Sequence, residues 1–428
     1  MTEWYHDKYI SVTGYCYANG NLLTDNGLAD YFCIADTDTL LERLRSANGI
    51  FSFIIDTPDF KAASIGDARI YPVYYKEGTD GLQISNDFRK LLSKNDKSSD
   101  FAVQFYKASS YAPAGFTLIE GIRQVKPFHL LVCSNNSTSE HCYKTYLHLK
   151  EEEHSLTESQ IMEIIDNAFK RTIDSVKGRQ IVIPLSGGYD SRLIACMMKL
   201  NGYENVICYT IGTKESRECT TAFKVAEQLG YRIYLINPAD ANAKELFSTF
   251  EFRQYSSFVG GLTNFLWLYE FYAIKKLKSL GVLEDDAVFM PGHLGDFLSG
   301  SQLHKSLISS NSTAGTLSNA ILFDSFIYNH NKATKNYVSK FFSNAIDNGY
   351  SGISAFQWFT LTHRLTHCIN NAARAYLFFG YDVRLPFWDR ELLDAFLSLP
   401  FTDLKNCSLY RKTLTDKVFN PLQVNFAN

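Results

Sequence analysis

The 428-residue sequence is short of proline and has no paired cysteines, and both shortages narrow what it can be. Only 10 prolines beside 32 phenylalanines and 26 tyrosines argue against a disordered chain. The nine cysteines are scattered, without any C-x-x-C spacing. An odd number so arranged fits free thiols in a reducing cytoplasm rather than a disulfide frame or a zinc site. No stretch approaches the roughly 18 uninterrupted apolar residues of a membrane helix. The opening residues from Met1 to Lys8 lack the apolar core of a secretion signal. Charge of one sign is missing too: 42 basic against 45 acidic residues leave a net charge of −3. There is neither a basic stripe for nucleic acid nor an acidic tail. The expectation is a cytoplasmic protein with no nucleic-acid or membrane partner, built of two or three domains and without internal repeats.

What is present changes character midway. Residues 1–150 read as short strands with turn punctuation, at Ile10–Tyr17, Gly49–Ile55, Ala62–Ile65, Tyr71–Tyr75, Leu82–Ser85 and Leu130–Cys133, with one helix over Asp38–Ala47. That pattern predicts an antiparallel, β-rich layered domain. The polar segment Ser134–Ser139 and the charged run Lys150–His154 lead to a long amphipathic helix over Leu156–Ser175, capped by Ser155 or Thr157. From Pro184 strands and helices alternate: Val206–Ile211, then Arg217–Leu229 closed by Gly230, then Arg232–Ile236, and later Ala287–Met290. The alternation predicts an α/β domain over 155–428 with a doubly wound parallel sheet, its site at the carboxyl edge, and a helical part from about residue 300.

The stretch Ile181-Val-Ile-Pro-Leu-Ser-Gly-Gly-Tyr-Asp-Ser-Arg192 concentrates the chemistry. An apolar strand runs into a Ser-Gly-Gly loop and then into a helix. Loop N–H groups and the positive helix end suit a pyrophosphate, and Asp190 suits the Mg²⁺ that travels with one. No Gly-Lys-Ser/Thr follows, so the loop is not a Walker A motif. It resembles the Ser-Gly-Gly-x-Asp-Ser loop of the ATP pyrophosphatases.

Three further stretches resemble the asparagine synthetase family, in the right order along nearly the whole chain. Val288-Phe-Met-Pro-Gly-His-Leu-Gly-Asp296 is similar to its Gly-x-Gly-x-Asp-Glu segment, and Tyr381–Asp389 to its Glu-x-Arg-x-Pro-Phe-Leu-Asp. Asn48–Phe53, Gly66-Asp67, Tyr71–Tyr75 and Ile84–Asp87 resemble its glutamine amidotransferase domain. The resemblance implies an N-terminal Ntn-hydrolase-like domain followed by an ATP pyrophosphatase domain of the adenine nucleotide α-hydrolase type. It implies ATP phosphates at Leu185, Ser186, Gly187, Gly188, Asp190, Ser191 and Gly292, adenine at Tyr209, Thr210 and Ile211, and Mg²⁺ at Asp190 and Asp296.

The departures matter as much. Thr2 stands where the family exposes a nucleophilic cysteine, and its glutamine-holding motifs are missing, so the N-terminal domain is expected to be degenerate as a glutaminase. Phe297 replaces a glutamate, and no motif supplies the family's catalytic lysine; Arg411, Lys412 and Lys417 are substitutes. By resemblance, His293 takes the place of a catalytic glutamate, or of the tyrosine of β-lactam synthetases, and Asp382 the place of its acidic partner. Such a catalytic pair makes chemical sense, since a carboxylate fixes the imidazole tautomer and frees the other nitrogen as a base. It should close to about 3–4 Å beside Ser186; the alternative is a histidine bonding backbone in a tight turn. Arg192 either reaches phosphates or an anionic substrate or faces solvent. Gly260-Gly261 shapes a substrate loop or starts a helix. His363 and His367 lie on one helix face without a third ligand, which favours packing or a surface role over metal.

The implied reaction joins a small-molecule carboxylate to ammonia or an amine through an acyl-adenylate, releasing AMP and pyrophosphate. A separate glutaminase would supply ammonia, and a homodimer is possible in this architecture. The resemblance extends to members amidating a sugar acid in surface-polysaccharide clusters. It reaches, more loosely, β-lactam synthetases and lasso-peptide cyclases. An ATP-binding scaffold without chemistry is the non-enzymatic alternative.

Overall fold

A computed structural model describes residues 4–79, 81–303, 312–326 and 331–426. Alternating apolar residues build the N-terminal half. Its strands are β1 (Tyr5–His6), β2 (Ile10–Ala18), β3 (Asn21–Thr24), β4 (Asn48–Asp56), β5 (Phe60–Ser64), β6 (Tyr74–Gly78), β7 (Gly81–Ser85), β8 (Ile122–Gln124), β9 (His129–Ser134) and β10 (Ser137–Cys142). Seven form one antiparallel sheet in the order β1-β2-β4-β5-β9-β10, with β3 also on β2, and β7-β6-β8 form a smaller sheet. Gly14 faces Phe51 across β2 and β4 at φ +90°, where an added Cβ would lie 2.1 Å from the Ile50 carbonyl, so glycine alone fits. The strand expected over Tyr71–Tyr75 begins only at Tyr74, because Pro72 has no N–H to give a ladder.

Three helices accompany these sheets: α1 (Asp25–Phe32), α2 (Thr37–Ser46) and α3 (Asp100–Ser109). Only α2 was legible in the sequence, and Asp36 caps it by accepting from the Thr39 N–H. Helix α1 packs through Phe32, whose ring stacks on Phe51 and Phe53 at 5.0 and 4.6 Å. Helix α4 (Glu158–Val176) follows the last antiparallel strand after the connection 143–157. Thr157 and Gln160 close a capping box at its start.

The second half adds β11 (Ile181–Pro184), α5 (Tyr189–Leu200), β12 (Val206–Ile211), α6 (Arg217–Leu229), β13 (Arg232–Ile236), β14 (Val288–Phe289) and β15 (Asp382–Val383). The five strands run parallel in the order β13-β12-β11-β14-β15. Order therefore reverses between β11 and β14, which opens a crevice at their carboxyl ends. Helices dominate the remainder, and Gly352–Phe359 continues into a π-helical turn over Thr360–Ile369. Gly260-Gly261 ends a helix instead of starting one: Gly261 is the left-handed cap of Phe250–Gly260, and an added Cβ would lie 2.5 Å from the Tyr74 hydroxyl. Among the described residues no helix is long and apolar enough to cross a membrane. All nine cysteines are free.

The halves are joined by buried charge. Arg390 donates to Asp67 at 2.7 Å and to the carbonyls of Leu44 and Arg45, each at 2.7 Å, while Tyr143 donates to the other Asp67 oxygen at 2.7 Å. Asn48 donates to Asp389 and accepts from the Arg390 N–H. Arg374 reaches the Ile70 carbonyl, and Asn370 that of Ala68. Removing one member of a buried, fully bonded pair strands its partner. Arg390→Met should thus cost about 3–5 kcal/mol in denaturant unfolding. Arg89→Met, at an exposed pair with Asp87, should cost at most about 1 kcal/mol. Equal losses would mean that the buried network contributes nothing special.

Candidate functional site

The Ser-Gly-Gly loop leaves β11 at the carboxyl edge and returns as α5. The Leu185 N–H donates to the Tyr209 carbonyl of β12 at 2.8 Å, which docks the loop on the sheet. Ser186 N–H donates to Ser191 Oγ at 3.0 Å, the two serine hydroxyls lie 3.1 Å apart, and Gly188 N–H donates to Ser186 Oγ at 3.1 Å. The loop is thus stapled by its own side chains. Gly188 sits at φ −68°, open to any residue; its lack of a side chain leaves space instead, since a Cβ would come 3.2 Å from Ser186 Oγ.

Asp190, in the first turn of α5, presses against the loop after β14. A Cβ on Gly295 would fall 2.4 Å from the Asp190 carboxyl carbon, and one on Gly292 only 3.0 Å from the Ser191 nitrogen. Gly295 is required for the two loops to meet, and a side chain at Gly292 would crowd the start of α5. Leu294 between them adopts φ +83°, a conformation leucine resists. Its side chain is buried, which compensates for that strain. Asp296 then starts a short helix with its carboxylate exposed, and its backbone N–H bonds the Asp190 carboxylate.

Burial, and then the negative charge of Asp296, push the Asp190 carboxyl up to about 7, against hydrogen bonds from Tyr410 and the Asp296 N–H and the charge of Arg411. Two acids that repel one another at the mouth of the loop are a hard-oxygen donor set that a divalent cation would relieve. Tyr410 donates to Asp190 at 3.0 Å from the helix Ser408–Leu414. Nothing in the sequence marked it, because it comes 220 residues later with no motif. Of the three substitutes for a catalytic cation, Arg411 bears on Asp190. Lys412 pairs with Glu158 at 2.6 Å, and Lys417 lines a groove against α4, so both face elsewhere.

The other expected residues separate. Tyr209, Thr210 and Ile211 end β12 at the right edge, but the Tyr209 side chain is buried with its hydroxyl 3.2 Å from that of Tyr376. Phe297 is buried in the core and offers no ligand. His293 and Asp382 do not form a pair. Parallel register aligns Asp382 with Val288 and Ile181 at the amino ends of the strands, whereas His293 follows β14 at the carboxyl end. Asp382 is held by Arg179 at 2.6 Å and faces Arg384 at 3.8 Å. His293 Nδ1 is buried with no hydrogen-bond partner. Burial lowers the imidazole to about 4, too weak a base near neutrality.

Arg192 does not face solvent; it is buried, and it donates to the backbone carbonyls of Gly187, Val424 and Phe426. His363 stacks on Phe359 and meets the Tyr337 hydroxyl at 2.9 Å inside the core. No cluster of three potential metal ligands occurs among the described residues. Thr2 lies outside the described residues.

The class defined by this fold and loop is confirmed by comparison. The model of the asparagine synthase family matches residues 160–422, and the chain belongs to that family. A comparison with curated proteins returns no match. Among solved structures, glutamine phosphoribosylpyrophosphate amidotransferase from B. subtilis, complexed with ADP and GMP, is 11% identical with a TM-score of 0.20, over 70% of this chain and 58% of that one. A structure described as the allosteric regulatory enzyme of purine biosynthesis is 12% identical with a TM-score of 0.21, over 68% and 56%. The chain thus spans less than two thirds of either length, and likenesses this distant carry no weight for fold or function.

An acid whose folded pKa exceeds its unfolded value near ~3.9 takes up a proton on folding. Stability of the metal-free protein should therefore fall as pH rises from roughly 4 to 7. Asp190→Asn should flatten that fall, while Glu270, raised by burial to about 7, keeps its own share. Thermal midpoints measured from pH 4 to 8 test this; an unchanged slope in the variant would contradict the environment assigned to Asp190.

Proposed function

We propose that the chain is an AMP-forming carbon–nitrogen ligase, with an ATP pyrophosphatase domain over 155–428 and an N-terminal domain, 1–150, that lacks glutaminase activity. The observation that carries this reading is the stapled Ser186–Ser191 loop meeting the Asp190–Asp296 acid pair at the sheet's reversal point. ATP would lie with its phosphates against the stapled loop and the start of α5, and its adenine against the end of β12. The acid pair fits Mg²⁺, which supplies charge neutralisation of the departing pyrophosphate.

A carboxylate oxygen of the substrate attacks the α-phosphorus, and the bond to the β-phosphate oxygen breaks, releasing pyrophosphate. The nitrogen of ammonia or an amine then attacks the acyl carbon, and AMP leaves with the bonding electrons while its phosphate accepts the proton. Loop amides and Arg411 stabilise the charge that moves onto phosphate. Tyr410 orients the Asp190 carboxylate through its hydrogen bond. The acid proposed is a sugar carboxylate, on resemblance alone. One observation favours the scaffold reading: Phe297 fills with a buried ring the place where the family carries an acid.

Pyrophosphate release on adding candidate acids separates the two readings. Asp190→Ala or Asp296→Ala should abolish it with the fold retained, and wild-type rates from either variant would sink the assignment. Glutamine should not serve as nitrogen donor. Glutamate production by the purified protein, lost in Thr2→Ala, would overturn that expectation.

A further inference from the structure

Arg192 has no surface open to solvent. Its side chain rises from the first turn of α5 and folds back beneath the loop. Nη2 donates to the Gly187 carbonyl at 2.6 Å, and Nη1 donates to the carbonyls of Val424 and Phe426, each at 3.1 Å. The rings of Phe419 and Tyr189 flank the guanidinium at 5.3 and 5.6 Å. One side chain therefore ties the loop to a segment 232 residues further along the chain.

The tie acts on the part of the loop that would hold phosphate. The Gly187 carbonyl and the Gly188 N–H belong to one planar trans peptide and point in opposite directions. Anchoring that carbonyl on Arg192 points the Gly188 N–H the other way, at Ser186 Oγ 3.1 Å off, so the tie fixes the peptide at the centre of the loop's own hydrogen-bond staple. The far end of the tie is itself ordered by the helical turn Thr415–Phe419: Val424 N–H donates to the Phe419 carbonyl at 2.9 Å, and the Val424 side chain is buried. If residues 424–426 withdraw, the buried guanidinium loses two carbonyl acceptors and its hold on the loop is no longer fixed from that side. A buried cation tolerates such a loss poorly.

We propose that Arg192 is a positioning residue through which the order of segment 424–426 sets the affinity of the Ser186–Ser191 loop for ATP. This rests on the nucleotide reading above. Coupling of this kind is reciprocal, so ATP must order the segment as much as the segment favours ATP.

Binding of ATP with Mg²⁺ to the full chain, measured by calorimetry, is the direct test. Arg192→Met should weaken it about 10- to 100-fold, as expected for lost bonds to a charged group. Deleting residues 424–428 should weaken it similarly, and combining the two changes should add little, since both cut one tie. Arg192→Ala should regain affinity on adding guanidinium ion, a rescue that general damage to the fold would not show. Hydrogen exchange of the wild-type protein gives a reading that needs no variant: amides of 424–426 should exchange more slowly with ATP present. Unchanged affinity in Arg192→Met, additive losses, or exchange indifferent to ATP would each overturn the inference. A wild-type chain that fails to bind ATP would sink the nucleotide reading itself, and this inference with it.

Discussion

The close approach of Asp190 to the Gly292–Gly295 loop is the contact on which the site depends. Two loops from neighbouring parallel strands meet there with no room for a Cβ at Gly295, and the pairing of the two acids follows from that proximity. It places one acid under the influence of another, orders the Asp296 N–H, and holds Leu294 in a left-handed conformation that leucine resists. Packing of the side chains beneath compensates for the local strain, as happens where function needs an unfavoured backbone.

Much of this was legible because the information was local. The strand, the Ser-Gly-Gly turn and the following helix lie within twenty residues, and the apolar alternation on either side fixed the parallel and antiparallel halves. What was illegible came from far away or from register. Tyr410 reaches Asp190 from the helix Ser408–Leu414, and the carbonyls of Val424 and Phe426 reach Arg192 from an irregular segment further on, in stretches with no distinguishing composition. Asp382 was misplaced because a motif gives residue identity but not the end of the strand at which it lies; one register assignment carries it to the opposite edge. Helix α1 escaped notice because its first turn, Asp25-Asn26-Gly27, has the composition of a turn. Helix α3 was hidden among strands and loops.

The N-terminal sheets give the enzyme-like half something to rest on. Segments resembling a glutamine-handling domain supply Asn48 and Asp67, and both are spent on gripping Asp389 and Arg390. The stretch that carries Asp389 and Arg390 follows directly on β15, so the grip is transmitted to the edge of the parallel sheet.

That shared grip has a consequence for how the molecule comes apart. Arg390, Arg374 and Asn370 find their acceptors across the boundary, at Asp67, Ile70 and Ala68. Expressed alone, either half would carry bare charges and orphaned carbonyls on a large uncovered face. The halves should therefore melt in a single cooperative transition, and an isolated C-terminal fragment should be recovered as an insoluble or chaperone-bound chain.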